Sequence, residues 1–359
     1  MLLLTGATGV LGTALLDDLA ATSVPEGLRL EKVICLAHKQ PVRDDVTAVH
    51  ADLTKPRMAL PDRAWRELAA RTSCIVHAAA FTRFATSEND MQALNVEGTQ
   101  RILDLAERAG APVYHLSSAI ISIVPRGQKR SADGEIDLDR YARSKRAAEE
   151  LVRGSGLTTT IVRPSLILGD SRTGKIKRFQ GVHMLARFVL EDSVPVLPAS
   201  SAARVDFLSQ DAVASALTFV LNKRIRVPEL WLTAGEHALT AQRVIELTTE
   251  YAARIGKPMK LPRIVGPEIV DRLIRPAFLP ELPIRERRRF EDLLKLLSPL
   301  TTEHVLNSDL PVLRAHGWER TLQLEQTFRQ SLRYWGDRKR IPERFGTHAF
   351  GDKPEGQLA

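Results

Sequence analysis

The first half of the chain alternates short, almost wholly apolar runs with longer amphipathic ones. The apolar runs predict strands over Met1–Leu4, Leu28–Ala37, Val46–Leu53, Ser73–Ala79, Val113–Ser117 and Thr159–Arg163. The amphipathic runs predict helices over Leu11–Ala21, Arg63–Arg71, Asn89–Ala109 and Leu138–Gly154. Strands this apolar are covered on both faces, as in a parallel sheet flanked by helices. We therefore predict an α/β fold: a Rossmann-like doubly wound parallel sheet with a smaller C-terminal α/β lobe.

The pattern changes after about residue 170. A basic loop over Lys175–Arg178 precedes further helices and strands, which are predicted over Val182–Leu190, Arg204–Leu208, Gln210–Leu221, Leu230–Ala234, Thr240–Ile255 and Glu286–Leu297. We predict a Rossmann domain over residues 1–170 and a second lobe over 171–340. Residues 204–235 of the second lobe are expected to interleave with the first domain. Residues 341–359, rich in Gly, Pro and charge, are expected to form a mobile tail.

Composition narrows the class of protein. The chain is 44% hydrophobic and 26% charged, and none of its apolar runs approaches the roughly 20 residues of a membrane-spanning helix. Met1 begins the first predicted strand, which leaves no room for a signal or transit peptide. Cys35 and Cys74 fall in predicted buried strands, so we expect reduced thiols, a cytoplasmic protein and no zinc site.

The net charge of +8 fits an anionic ligand such as a phosphorylated cofactor, a coenzyme A ester or an acidic carrier protein. It fits a merely solvated surface as well. Nucleic-acid binding is disfavoured, because only 5% of the residues are aromatic and no recognition module is present in the sequence.

A glycine-rich turn follows the first strand. Thr5–Gly12 reads Thr-Gly-Ala-Thr-Gly-Val-Leu-Gly, with glycines three residues apart, and leads into an amphipathic helix. A strand that runs through such a turn into a helix can hold a dinucleotide pyrophosphate. The turn therefore predicts a nicotinamide cofactor site.

A second motif, Tyr141 and Lys145, lies on the predicted helix Leu138–Gly154. Residues four apart share one helix face, so the ammonium can lower the pKa of the phenol and hold a sugar hydroxyl. Beside a bound cofactor, this pair can move a proton while hydride is transferred. The two motifs together predict a redox enzyme.

These motifs occur in the order found in the extended short-chain dehydrogenase/reductases, which the chain resembles over nearly its whole length. The matching segments are Thr5–Gly12, Asp52-Leu53, His77-Ala78-Ala79, Asn95–Thr99, Ser118, Tyr141 with Lys145, and Arg163-Pro164. Within this superfamily, Arg163–Gly174 is most similar to the male-sterility and fatty acyl-CoA reductase type, that is, to thioester reductases. The resemblance implies an NAD(P)H-dependent oxidoreductase whose second lobe binds the substrate.

The resemblance also implies roles for individual residues. Tyr141 would be the general acid and Lys145 its partner, Ser118 would bind the substrate carbonyl, and Asn95 would support a water chain or merely tie down a neighbouring loop. Cofactor contacts are implied for Thr5, Gly6, Thr8, Gly9, Val10, Leu11, Gly12, His38, Lys39, Asp52, Leu53, Ala78, Ala79, Ala80, Tyr141, Lys145, Arg163 and Pro164. For Arg163 a buried structural role is the alternative. No metal is expected.

His38 and Lys39 stand where thioester reductases usually carry an Arg for the 2′-phosphate of NADP. A basic pair without a carboxylate favours NADP(H) over NAD(H). Three functions remain open. The first is a reductase of an acyl thioester, aldehyde or ketone; a thioester substrate would be carried by coenzyme A or a carrier protein. The second is an NAD-dependent nucleotide-sugar epimerase or dehydratase, and the third is a non-catalytic NADP-binding sensor. The substrate, the number of hydrides delivered, the physiological direction and the oligomeric state, including a homodimer, stay open.

Overall fold

The computed structural model describes residues 1–21, 28–127, 136–179, 181–190, 196–200, 202–257, 259–281, 283–297 and 303–339. The tail expected over residues 341–359 lies outside the described residues. The strands are β1 (Leu2–Thr5), β2 (Val33–Ala37), β3 (Thr47–His50), β4 (Cys74–His77), β5 (Val113–Leu116), β6 (Thr159–Pro164), β7 (Leu166–Leu168), β8 (Val196–Pro198), β9 (Arg204–Val205), β10 (Phe207–Ser209), β11 (Glu229–Leu232), β12 (Leu239–Thr240) and β13 (Arg263–Val265).

Helices connect these strands. They are α1 (Val10–Ala21), α2 (Asp62–Arg71), α3 (Glu88–Met91), α4 (Glu97–Ala109), α5 (Leu138–Gly154), α6 (Gly181–Leu190), α7 (Gln210–Asn222), α8 (Ala241–Arg254), α9 (Pro267–Ile269), α10 (Arg275–Phe278), α11 (Ile284–Leu297), α12 (Leu310–Ala315) and α13 (Leu324–Lys339). Two π-helical segments, Gln92–Val96 and Val270–Ile274, join α3 to α4 and α9 to α10.

The predicted doubly wound parallel sheet is confirmed. Within the described residues, seven parallel strands form one sheet in the order β11-β6-β5-β4-β1-β2-β3. The order reverses between β1 and β4, whose last residues, Thr5 and His77, are register partners. Ligands of such sheets bind beyond the carboxyl ends of the strands at this reversal.

Core residues of β1 alternate between two helical layers. Leu2 and Leu4 pack in a cluster with α1, α7 and α13, whereas Leu3 packs in the opposite cluster with α2 and α4. Successive side chains of a strand point to opposite faces, so the three consecutive leucines of β1 are buried on both faces of the sheet. Strand β11 comes from the second half of the chain and completes the edge of the main sheet beside β6.

Three segments differ from the predicted elements. The first residues of the predicted strand Leu28–Ala37 form a short 3₁₀ turn over Leu30–Lys32, because Glu31 and Lys32 are exposed charges. The predicted helix Asn89–Ala109 contains the π-helical segment. The predicted strand Arg204–Leu208 is split at Asp206, whose buried carboxylate accepts the backbone N–H groups of Ala234 and Gly235, each at 2.8 Å.

Candidate active site

The glycine turn after β1 has no room for side chains. Gly6 has a φ of +71°, and an added Cβ would lie 2.6 Å from the carbonyl carbon of Ala78. A Cβ on Gly12 would overlap the carbonyl oxygen of Gly6, which already accepts the N–H of Gly9 at 2.9 Å. Glycine is required at both positions because any larger residue would push the turn away from α1 and β4. The bare backbone of this turn fits a dinucleotide pyrophosphate.

The remaining residues of the turn divide by burial. Thr8 and Val10 are half-buried and Gly9 is exposed, so these three lie where a bound cofactor could touch them. Leu11 is buried in the core cluster with α7. Any contact of Leu11 with a cofactor would therefore come from its backbone.

Thr5 connects the turn to the end of β4. Its buried hydroxyl accepts the N–H groups of Ala78 and Ala79, each at 3.1 Å, and pairs with Nδ1 of His77 at 2.8 Å. These bonds fix the backbone of the segment that leads to Ala80. Sequence reasoning gave Thr5 a cofactor contact, whereas its side chain is fully enclosed and holds together the two segments that would line the cofactor.

Basic residues gather at the carboxyl ends of β2 and β3. His38, Lys39 and His50 are exposed, and the rings of His38 and His50 stack with centroids 5.8 Å apart. Asp52 lies close enough to be stabilised by the charge of His38. Burial raises the pKa of Asp52, but hydrogen bonds from Thr54 outweigh it and the net pKa is lowered.

His50 is a candidate that sequence reasoning missed. The pairing of β2 with β3 could have indicated it. Ala37 of β2 is the register partner of His50 of β3, so His50 lies beside His38, the residue that follows Ala37.

Leu53, two residues after Ala51 on the same chain segment, is buried in the core. Its predicted cofactor contact could therefore involve little of its side chain.

Tyr141, Lys145 and Ser118 come together beside the carboxyl end of β5. Tyr141 and Lys145 lie one turn apart on α5 and are almost fully buried, with 7% and 2% of their surfaces exposed. Ser118 follows β5 and hydrogen-bonds to the phenol of Tyr141. Nζ of Lys145 donates to the carbonyl oxygen of Leu116 at 2.7 Å. The sequence motif is thus one cluster.

The pKa of Tyr141 shifts in the opposite direction from the one predicted. Burial raises the pKa of Tyr141 to about 12, and the hydrogen bond with Ser118 opposes this only in part. In the chain by itself the cost of burying a phenolate outweighs the favourable hydrogen bond. The lowered pKa that we expect from Lys145 together with a positive nicotinamide ring stays a prediction for the site with cofactor bound. At neutral pH the phenol therefore carries its proton, which suits a group that donates a proton to a carbonyl oxygen.

Lys145 is an ammonium held in an almost dry site. Burial lowers its pKa to about 8, and the charge of Glu149, one turn further along α5, raises it. Two buried imidazoles, His77 and His115, face Lys145 from β4 and β5. Burial and the charge of Lys145 lower the pKa of His77 to about 3 and lower that of His115 well below its ordinary value, so both are neutral.

Asn95 ties down the loop that follows β4. Its side-chain oxygen accepts the N–H of Phe81 at 2.7 Å, and its amide nitrogen donates to the Phe81 carbonyl at 3.1 Å and to the hydroxyl of Ser144 at 3.0 Å. Asn95 lies within the π-helical segment and is buried. Of the two roles proposed from the sequence, these contacts favour fixing the loop.

Arg163 forms a buried ion pair beneath the active site. It donates two hydrogen bonds to Glu149, at 2.8 and 2.6 Å, and two to Glu229, at 2.5 and 3.1 Å. Its guanidinium also lies 4.6 Å from the ring centroid of Trp231. With its donors engaged, Arg163 fits the structural role better than the predicted cofactor contact. Pro164 ends β6 opposite Leu232.

An apolar cavity of about 80 Å³ adjoins the catalytic cluster. It is lined by Phe84, Ile120, Ile123, Leu138, Ser165, Leu166, Gly181, Val182, Leu185, Arg204, Val205, Asp206, Gly235, Ala238, Leu293, Leu296, Leu297, His304 and Leu306. The ring of Phe84 meets that of Tyr141 edge-on, with centroids 5.6 Å apart. The cavity is formed mainly by aliphatic side chains, and Phe84 lies between it and the ring of Tyr141.

The described part of the chain contains neither a cluster of metal-binding side chains nor a membrane-spanning helix. Across those residues, His, Cys, Asp and Glu side chains form no group of three or more that could hold a metal ion. None of the described helices combines the length and the apolar character that crossing a bilayer requires.

Comparison with known proteins places this site in a family. The sequence profile of the male sterility protein family, an NAD-binding family, matches residues 29–217, just over half of the chain. The chain belongs to the male sterility protein family. The resemblance to an extended short-chain dehydrogenase/reductase of the thioester-reductase type is thereby confirmed, and the chain is an enzyme of the type that uses NAD(P)H.

Individual relatives of this male sterility family protein agree with the assignment. Glycine betaine reductase from Emericella nidulans is 28% identical over 260 residues, which are 62% of this chain and 20% of that protein. The chain spans a fifth or less of the length of the first curated relatives it matches.

Solved structures confirm the fold. The terminal R domain of the myxalamid PKS-NRPS pathway has a TM-score of 0.69 at 23% identity and covers 94% of this chain and 90% of its own. A thiolation-reductase di-domain of an archaeal non-ribosomal peptide synthetase has a TM-score of 0.66 at 15% identity and covers 95% of this chain and 76% of its own.

Proposed function

We propose that this protein reduces the carbonyl of a lipophilic acyl compound, an acyl thioester in the first place, with NADPH as the hydride donor. The observation that carries the proposal is the mainly aliphatic cavity lined by Phe84, whose ring contacts that of Tyr141, because a sugar would leave hydroxyl groups unpaired there. Aldehydes and ketones with an apolar chain fit the same space. The chain shares its fold with a thiolation-reductase di-domain of a peptide synthetase, which is consistent with a thioester substrate.

Residues of the chain would share the chemistry as follows. The bound nicotinamide supplies the hydride. Tyr141 donates the phenolic proton to the carbonyl oxygen, and Ser118, which already hydrogen-bonds to the phenol, orients that oxygen. The ammonium of Lys145 stabilises the phenolate that remains and holds a ribose hydroxyl of the cofactor. Reduction of a thioester in this way gives a hemithioacetal, which loses the thiol to yield an aldehyde; a second reduction would yield an alcohol.

The cofactor preference follows from charge at the ends of β2 and β3. His38, Lys39 and His50 offer three basic groups where the adenosine ribose would lie, and the exposed surface there suits a 2′-phosphate. Asp52, the carboxylate near His38 that could bind the free hydroxyls of NAD, accepts a hydrogen bond from the hydroxyl of Thr54.

Substituting His38 and Lys39 by Ala tests this preference. We expect the Kd of NADPH to rise at least roughly tenfold, since charge-assisted hydrogen bonds to the phosphate are lost, while the Kd of NADH changes little. Lys32→Ala, an exposed lysine at the opposite end of β2, is the matched control. An unchanged NADPH-to-NADH ratio would remove the argument for NADP(H).

A substrate panel tests the reaction itself. Acyl-CoA thioesters, free aldehydes and ketones of increasing chain length are followed by nicotinamide absorbance with each cofactor, beside nucleotide sugars. We expect kcat/KM to rise with chain length and the nucleotide sugars to remain unchanged. Epimerised sugar with tightly retained NAD would support the epimerase alternative, and cofactor binding without any turnover would support the sensor.

The wider setting is part of the same proposal. We propose a cytoplasmic enzyme, because Cys35 and Cys74 are unpaired and burial raises the pKa of each thiol to about 11, which keeps them unreactive. Its thiol-bearing partner is coenzyme A or a carrier protein. The division into a Rossmann domain over residues 1–170 and a substrate lobe over 171–340 agrees with the lobe residues that line the cavity.

A further inference from the structure

Phe84 points inward from the loop between β4 and α3, where its neighbours face solvent. Arg83 and Ala85 are exposed, whereas Phe84 is half-buried. Its ring packs against a small apolar cluster that includes Ile121 and Leu138. Removing apolar surface from water stabilises this packing, so the position of the ring is set by contacts with the body of the protein.

Backbone hydrogen bonds hold the same loop against the first turn of α5. The carbonyl oxygen of Phe84 accepts the N–H of Asp137 at 3.1 Å, and the guanidinium of Arg140 donates to the carbonyl oxygen of Thr86 at 2.9 Å. Tyr141 lies on the same helix. Because the loop and the phenol are both anchored to α5, the ring of Phe84 has a fixed place relative to the hydroxyl that donates the proton.

The ring of Phe84 separates this phenol from the apolar cavity. It meets the ring of Tyr141 edge-on, with centroids 5.6 Å apart and planes at 65°, and it lines the cavity together with Ile120 and Leu138. The carbonyl oxygen of a substrate receives the proton only within hydrogen-bond distance of the phenol. An acyl chain that runs from that carbonyl into the cavity therefore passes Phe84 with the carbons nearest the carbonyl.

We propose that Phe84 restricts the substrate to acyl groups that are unbranched at C2, the carbon next to the carbonyl. The inference rests on the proposed function and narrows its substrate class. A methyl group on C2 would overlap the ring, and the ring can yield only by giving up its packing and straining the loop. Apolar sites distinguish substrates that differ by one such group by roughly 10- to 200-fold in kcat/KM.

A pair of thioesters that differ by one methyl group tests the restriction. The kcat/KM with NADPH is measured for octanoyl-CoA and for both enantiomers of 2-methyloctanoyl-CoA. We expect the wild-type protein to prefer octanoyl-CoA by roughly tenfold or more. Phe84→Ala should remove most of this preference by raising kcat/KM for the branched thioester. Phe81→Ala, at a phenylalanine of the same loop that is 38% exposed, is the matched control and should keep the wild-type preference.

Two further measurements keep the test decisive. Phe84→Leu retains an apolar side chain without the ring and should show an intermediate preference, so the result does not depend on the stability of Phe84→Ala. Octanal and 2-methyloctanal, compared in the same way, should give the same order of preference, because the carbonyl and C2 occupy the same positions in the aldehyde.

Other outcomes overturn the inference. A wild-type protein that reduces the straight and branched substrates equally well would refute the role of Phe84 and leave the proposed function intact. Equal losses with both substrates in Phe84→Ala and Phe84→Leu would mean that the ring only supports the fold around Tyr141. If the wild-type protein binds NADPH but reduces none of these thioesters and aldehydes, the proposed function itself fails, and the inference fails with it.

Discussion

The substitution Arg163→Gln should separate the two roles considered for this arginine. Arg163 and Glu149 expose only 8% and 3% of their side chains, and Arg163 donates four hydrogen bonds to two carboxylates. Removing the guanidinium leaves Glu149 as a buried carboxylate whose remaining charged partner is Arg153, at 2.9 Å. Breaking a buried pair in this way costs about 3–5 kcal/mol. Because Arg153 remains as a partner of Glu149, we expect the free energy of unfolding to fall by about 3 kcal/mol, the lower end of this range.

Urea unfolding at pH 7 measures this loss, and the pH dependence tests its cause. Burial raises the pKa of Glu149, but the bonds from Arg163 outweigh it and the net pKa lies below 4.5. A carboxyl whose pKa is lower in the folded state than in the unfolded state stabilises the fold at pH values above its pKa in the unfolded state. That stabilisation is lost as the pH falls through its pKa in the folded state. The difference in the free energy of unfolding between the variant and the wild type should therefore narrow below about pH 4.5, the ordinary pKa of a glutamate carboxyl.

Two controls complete the experiment. Arg153→Gln, at a side chain that is 47% exposed, should cost less than about 1 kcal/mol. The double substitution of Arg163 and Glu149 by Met should recover part of the lost stability, since no unpaired charge stays buried. NADPH affinity should be unchanged in Arg163→Gln. A variant that keeps its stability but binds NADPH tenfold more weakly would refute the structural role and restore the predicted cofactor contact.

Three further outcomes are expected. Tyr141→Phe should lower kcat by roughly 10²- to 10⁴-fold and leave the Kd of NADPH unchanged; undiminished turnover would mean that another group is the acid. Because catalysis needs the Lys145 ammonium, kcat/KM should fall as the pH rises through about 8. Glu149→Gln should move this alkaline fall to lower pH. If the substitution only lowers stability, the fall will stay at the same pH. Gly12→Ala should abolish cofactor binding, measured by nicotinamide fluorescence, because its Cβ would overlap the carbonyl oxygen of Gly6.

Periodic patterns carried the prediction of the fold a long way. Apolar runs such as Met1–Leu4 and Thr159–Arg163 define strands because a strand covered on both faces needs no polar residue. The same patterns placed some boundaries of helices and strands wrongly, at positions where hydrogen bonds rather than hydrophobic burial set the backbone conformation. The π-helical segment around Asn95 and the break at Asp206 depend on hydrogen bonds to Phe81, Ala234 and Gly235, which are distant in sequence.

The candidate site divides in the same way. The glycine turn and the pair Tyr141 and Lys145 are local motifs whose spacing alone indicates their chemistry, so the sequence by itself predicts a nicotinamide site and a proton donor. The direction of the Tyr141 pKa and the ion pairs of Arg163 were decided by the tertiary structure. Burial and charge at a residue depend on which segments surround it in space. Arg163 and Glu229, 66 positions apart in the chain, meet only when β6 and β11 pair in the sheet.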